Sequence, residues 1–229
     1  MGQQKFMRRF AKWHIWLGWL VGFPILMWTV TGLVMVARPI EEVRGTHLRA
    51  EMPPVPPGEL VLPEISAPVQ SITLQNFPDG PAWIVVEEDG GRFRYGARDG
   101  AFYNPIVEEQ ARSIAEAAFA GDAPLEGLTY FPGDAVPMDL RTPVNSWQAH
   151  FADGTNVYIN AQTGEVLAVR SSWWRVFDFM WGLHIMDLET REDTHHPVLI
   201  IFAVLGVIGS LLGCVLMFRR RKARVKVPA

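Results

Sequence analysis

Hydrophobic positions along the chain fall into three regimes. Two uninterrupted apolar runs, about Ile15 to Ala37 and about Pro197 to Phe218, contain no Asp, Glu, Lys or Arg. Each is long enough to cross roughly 30 Å of hydrocarbon as a helix. Trp13, Trp16, Trp19 and Trp28 add the aromatic residues expected at a membrane interface. A cleavable leader is the competing reading of the first run, with Ala37 as the small residue at the cut. Its length, beyond the roughly 7 to 15 residues of a leader core, and Met35 two positions earlier argue against that reading.

Between the runs the period changes. Residues 39–68 are rich in proline, including Pro53, Pro54, Pro56 and Pro57, which predicts a linker without regular helix or central strand. From about Gln70 short β-rich runs appear: SITLQN, AWIVVEE and RFRYGAR, punctuated by turns at Asp89-Gly90-Gly91 and Asp99-Gly100. A helix is expected over about Val107 to Ala120, with Ile114, Ala115, Ala118 and Phe119 on one side. An irregular stretch to about Pro143 follows, then SWQAHF, TNVYIN and EVLAVRS, separated by Asp153-Gly154 and Thr163-Gly164. The two β-rich parts align without a gap at an offset of 64 residues, matching Trp83 with Trp147, Asp89 with Asp153, Gly90 with Gly154 and Gly100 with Gly164. This reads as an internal repeat with units 70–104 and 107–170, the first unit having lost or replaced its helix.

Charge places these parts. Lys5, Arg8, Arg9 and Lys12 precede the first run, and Arg219, Arg220, Arg221, Lys222, Arg224 and Lys226 follow the second. Positive residues stay inside, so both termini are expected in the cytoplasm and the central domain in the periplasm or outside the cell. A net charge of -3 over 229 residues gives no footprint for nucleic acid. Cys214, the single cysteine, forms no internal disulfide. The expected segments are 1–14 basic and cytoplasmic, 15–37 spanning, 38–69 linker, 70–172 extracytoplasmic domain, 173–196 junction, 197–218 spanning, and 219–229 basic tail. Gly18 and Gly22 have the small-xxx-small spacing of a helix-packing face, and Pro24 is a candidate kink.

Three of the six histidines, His184, His195 and His196, lie in the junction. On a continuous helix His184 and His195 would share a face about 16 Å apart, too far for one iron. His195 and His196 would point apart, and Asp193 or Thr194 before Pro197 reads equally as a helix cap. His184 stands in the aromatic segment Trp173 to Leu188, which reads as an interfacial amphipathic helix. It is either a ligand or a histidine satisfied by Asp178 or Asp187. His14 is either an interfacial side chain or a ligand. His150 reads as a surface strand residue and His47 has no motif around it. No catalytic set of nucleophile, base and orienting group is apparent.

The helix followed by SWQAHFADGTNVYINAQTGEVLAVRS resembles a PepSY domain. KWHIWLGW with TVTGLVM near the start, and FMWGLH with a second span ending in FRRR, resemble the PepSY-associated transmembrane family over nearly the whole chain. The resemblance implies an α+β membrane protein of the bacterial inner membrane: a hairpin of two transmembrane helices flanking an extracytoplasmic, duplicated PepSY-like domain, with the interfacial helix beside it. Larger members, with four or more spans, include ferric-siderophore reductases that hold b-type haem on membrane histidines. Carried over, this makes His14 and His184 the expected haem ligands, with His195 or His196 as secondary alternatives. It implies an electron-transfer or ferric-siderophore-reduction component of iron uptake, with an electron donor as partner. His14 and His184 lie at opposite membrane depths, so bis-histidine ligation would need a homodimer or a membrane partner. No flavin or nicotinamide fingerprint is present. The alternative function is a non-enzymatic binding or inhibitory module acting on a peptide, an envelope protease or a transporter.

Overall fold

A computed structural model describes residues 2–223, excluding the side chains of 2–4 and 219–223, so the basic side chains beyond Phe218 lie outside what is described. The chain divides into a helical unit, residues 1–38 with 176–229, and an α+β unit, residues 39–175.

In the helical unit α1 runs Gly2–Met35 and α5 runs Pro197–Ala223. The spans long and apolar enough to cross a membrane are Lys5–Met35 and Pro197–Phe218. Residues 2–14 are helical, within the same element as the first span. They continue the same helix, since no proline or glycine pair interrupts QQKFMRRFAKWH. Pro24 is accommodated inside α1. Trp13, Trp16 and Trp19 are 71%, 69% and 82% exposed, as the interfacial reading expects.

Gly18 and Gly22, readable either as a packing face or as glycines of the kind common in membrane helices, do not mediate the contact between α1 and α5. Gly18 and Gly22 meet no neighbour within 4 Å. The small residues that admit the partner are instead on α5. Gly206 faces Ile25, Gly209 faces Leu17, and Gly213 faces His14, an order that makes α1 and α5 antiparallel. A Cβ would stand 3.3 Å from Leu17 at Gly209 and 2.9 Å from His14 at Gly213, so these two glycines permit the close approach, whereas at Gly206 it would meet Ile25 in ordinary contact at 3.9 Å.

In the α+β unit, β1 (Val69–Phe77), β2 (Gly80–Glu87) and β3 (Arg92–Gly96) form an antiparallel meander. A second sheet has the order β4 (Leu125–Phe131), β5 (Ser146–Phe151), β6 (Asn156–Asn160) and β7 (Val166–Arg170). Helix α3 (Glu108–Ala118) buries Ala111, Ile114, Ala115 and Ala118, a spacing that gives one apolar stripe. Three of these join Phe77, Ala82, Ile84, Phe119, Phe151, Val157 and Ile159 in the main core.

The offset of 64 is visible in hydrogen bonds as well as letters. Trp83 pairs with Tyr95 and Trp147 with Ile159, and Ala82 pairs with Gly96 as Ser146 does with Asn160. Asp89 accepts from the amide of Gly91 as Asp153 does from Thr155. Gly90 and Gly154 both have positive φ, at 90° and 80°, in the left-handed region where glycine carries no Cβ penalty. The indole of Trp83 donates to the carbonyl of Val61, whose own amide donates to Ala97. The indole of Trp147 donates to Ile106, whose amide donates to Ala161. Val61 in the proline-rich linker therefore makes the same two-bond clip that Ile106 makes ahead of α3.

Two local expectations are corrected. The stretch after α3 is not irregular throughout, because LEGLTYF forms the edge strand β4. Its pattern was masked by Gly127, beside a register shift, and by flanking Pro124 and Pro132, which an edge strand tolerates. The linker also begins with a short helix α2 (Ile40–Val43) after Pro39 and a 3-10 turn at Thr46–Leu48, because its prolines concentrate further on. The predicted helix boundaries of 107 and 120 contract to Glu108–Ala118.

Candidate functional site: two imidazoles on the apolar helices

Helix α4 (Ser172–Ile185) ends one residue after His184. The continuous helix that would bring His184 and His195 onto one face does not exist: Met186 takes a φ of 58° and the chain folds into a compact loop. The carboxylate of Asp187 organises that loop. It accepts from the amides of Glu189 and Thr190 at 3.1 and 3.0 Å, and from those of Glu192 and Asp193 at 3.1 Å each. The Thr190 hydroxyl also donates to it. The hydroxyl, with the amides in support, holds the Asp187 carboxyl well below its usual range. Arg191 closes the loop by donating to Asp178 at 2.6 Å, and the Trp181 indole donates to the Arg191 carbonyl. Gly182 lies beneath, where a Cβ would come within 2.8 Å of the Arg191 side chain and 2.9 Å of the Asp187 carbonyl.

Asp178 and Asp187 are thus engaged with the loop, and the hydrogen bonds described for His184 include neither. Its Nδ1 lies 2.9 Å from the hydroxyl of Thr31 on α1, and its carbonyl accepts from the Trp28 indole at 2.8 Å. Trp28 therefore clamps α4 to α1 as well as contributing to the aromatic set. The Thr31 hydroxyl, 2% exposed, donates to the carbonyl of Met27 at 2.8 Å, with Trp28's carbonyl at 3.2 Å. A hydroxyl has one proton. With two helix carbonyls in reach of that proton, the Thr31 oxygen is able to accept from His184, an arrangement that needs the hydrogen on Nδ1.

His14 is built on the same principle. Its Nδ1 lies 3.1 Å from the carbonyl of Gly209 on α5. A carbonyl only accepts, so this Nδ1 also carries the proton. Gly213, one turn further along α5, leaves the room for the ring: a Cβ there would stand 2.9 Å from His14 Cε1. Among the described residues neither Nε2 has a hydrogen-bond partner, and each imidazole could bind a metal through it. Seventeen residues separate His14 from Thr31 on one helix, placing the two rings about 25 Å apart along its axis.

The other histidines lie elsewhere. The His195 amide donates to Asp193 Oδ1, and His195 Nδ1 lies 3.3 Å from the Thr194 hydroxyl. The His196 carbonyl accepts from Ile200 in the first turn of α5, with Pro197 at the helix start as the cap reading expects. His150 stands exposed on β5, between Asn156 at 2.7 Å and Glu126 at 3.7 Å. His47 falls in the 3-10 turn. Among the described residues no three His, Cys, Asp or Glu side chains gather as a metal group. Sequence reasoning missed Thr31, Gly209 and Gly213. The small-residue spacing of Gly209 and Gly213 was readable, and Thr31 lies inside TVTGLVM, but neither pattern reveals which imidazole it will meet.

Apolar helices fit to cross a membrane, carried with an α+β domain of antiparallel sheets, define a membrane protein with an attached globular unit. The family described as the PepSY-associated TM region matches residues 11–229, and the chain belongs to that family. Comparison with curated proteins and with solved structures returned no match.

Proposed function

We propose that this protein is a haem-binding electron-transfer component of the bacterial inner membrane that serves ferric-siderophore reduction in iron uptake, with His14 and His184 as the ligands. The observation that carries the reading is that both imidazoles are tethered through Nδ1 and offer a free Nε2, the arrangement typical of metal-ligating histidine. The residues fit a haem. The fit is one of donor chemistry: neutral imidazoles are common haem-iron ligands, and exposed apolar side chains such as Trp16, Phe23 and Ile208 line α1 and α5. His14 and His184 would each supply one axial nitrogen, and a bound haem would carry single electrons. The separation of about 25 Å excludes both residues from one iron, so bis-histidine ligation at either level would need a histidine from a second copy of the hairpin or from another membrane protein. The basic residues flanking both spans favour cytoplasmic termini and an extracytoplasmic α+β domain. We further propose that this domain arose by duplication, with Val61 taking the place of Ile106 after the first helix was lost. The shared register and the paired tryptophan clips support that origin.

The test is an absorbance spectrum of the detergent-purified protein after haem-replete expression, oxidised and then reduced with dithionite. A Soret band with sharp reduced α and β bands is expected, and its absence overturns the haem assignment.

A second reading, a binding module without redox chemistry, is favoured by one feature. A surface cleft between the end of β1 and α3 is lined by Pro78, Asp79, Glu109, Gln110 and Ser113, chemistry suited to a peptide carrying donors. Retained binding of an envelope partner by a haem-free protein would favour it.

A further inference from the structure

The two histidines differ in their neighbours, but each is held through Nδ1. One ring faces the carbonyl of the buried Gly209, and the other a hydroxyl with two carbonyls of its own helix within reach of its single proton. We propose that Gly213 and Thr31 are positioning residues that lock His14 and His184 as Nδ1–H tautomers, so that each presents a bare Nε2 to a metal centre. The identity of that centre rests on the haem reading above, whereas the tautomers do not.

The chemistry is specific. A neutral imidazole has one N–H and one lone pair, and a hydrogen bond at one nitrogen decides which is which. Loss of the acceptor frees the ring to carry its proton on Nε2, where it blocks metal ligation. At His184 the acceptor is removed by Thr31→Val, which keeps the shape of the side chain but lacks a hydroxyl. Thr31→Ser keeps the hydroxyl. At His14 the carbonyl cannot be deleted, but Gly213→Ala places a methyl 2.9 Å from Cε1 and displaces the ring from it. Thr29→Val is the matched control, because Thr29 also donates to a helix carbonyl, that of Ile25, but faces outward.

The experiment is nitrogen NMR of the full-length detergent-solubilised protein labelled with 15N-histidine and free of haem, with His14→Gln and His184→Gln assigning the signals. Both wild-type rings should show a protonated Nδ1 and a bare Nε2. A protonated Nε2 on either ring overturns the proposal for that histidine, a result that requires no folded variant. Thr31→Val should remove the preference at His184 alone, while Thr31→Ser and Thr29→Val preserve it. Haem titration then separates the two readings. Thr31→Val and Gly213→Ala should each weaken haem binding by roughly tenfold or more, in the range of lost outer-sphere partners of metal-bound histidine. Unchanged affinity and midpoint potential in both would overturn the positioning role. Failure of wild-type protein to bind haem would overturn the haem reading and leave the tautomer result standing.

Discussion

The two units treat buried polar groups differently. In the α+β unit several buried polar side chains are paired: Arg94 donates to Asp79 and lies over the Phe77 ring, and the Tyr158 hydroxyl accepts from Gln148 at 2.6 Å, while Nε and Nη1 of Arg94 and the hydroxyl of Ser146 are buried without a hydrogen-bond partner among the described residues. Arg170 donates to the Asp139 carbonyl and stacks over Trp174. In the helical unit two imidazoles are each held by one nitrogen, with no described partner for the other. Polar groups that complete one another stabilise a fold, whereas a fixed donor with a free lone pair is equipped to take a ligand. What sets the imidazoles apart is the kind of free atom: an unpaired guanidinium N–H of Arg94 can only donate, whereas an imidazole nitrogen without a hydrogen offers a lone pair.

The largest effect that can break this contrast is expected from Phe151→Ala. Phe151 is 2% exposed and its ring centroid is 4.0 Å from that of Phe119. Truncation should cost about 3–5 kcal/mol, read as loss of amide-exchange protection across β5 and β6 in the full chain. The His184 tautomer should not change. A coupled loss of the Nδ1–H signature would show that the imidazole depends on the α+β core, and the contrast would fail.

The next effect is confined to the junction. Gly182→Ala places a methyl against Arg191 and the Asp187 carbonyl, and should cost about 1–3 kcal/mol as overpacking. Faster exchange of the Glu189, Thr190, Glu192 and Asp193 amides, with β5 and β6 unaffected, is the expected signature. Uniform loss of protection in both units would mean the loop is not a local structure.

These two sites also show what the sequence made legible. Both apolar helices and the turns at Gly90 and Gly154 were readable because each depends on local spacing. The edge strand β4 was not, because Gly127 interrupts its alternation and pairing with β5 supplies what the local pattern lacks. At the junction the letters placed three histidines close together, but the Asp187 loop separates them. His184 was legible as a candidate through its aromatic motif. Thr31 was not legible as its partner, because their contact spans 153 positions of sequence.

A pH titration sharpens the contrast from the α+β side. Burial first, and then Asp139, push the Tyr158 hydroxyl up from 10.0 to about 12. The fold prefers the neutral phenol, so this contribution is complete below pH 10 and is lost as pH rises from about 10 to 12. Thermal unfolding of the α+β unit should fall over that window in wild type and more shallowly in Tyr158→Phe. Equal pH slopes would remove Tyr158 from the set of internally satisfied groups.

The smallest expected effect sets the baseline for the others. Arg112 and Glu108 form an i,i+4 pair on α3 at 3.7 Å, with side chains 44% and 63% exposed. Such a pair in water contributes about 0.3–0.5 kcal/mol, and salt screens it. Arg112→Ala should therefore shift amide exchange in α3 barely beyond error at low salt and not at all at high salt. The same helix buries Ile114 in the main core only two positions further along, so this variant separates surface charge from packing within a single element. A loss above 1 kcal/mol would mean that exposed charges support the α+β unit as buried pairs do, and the comparison between its paired side chains and the two singly held imidazoles would need to be redrawn.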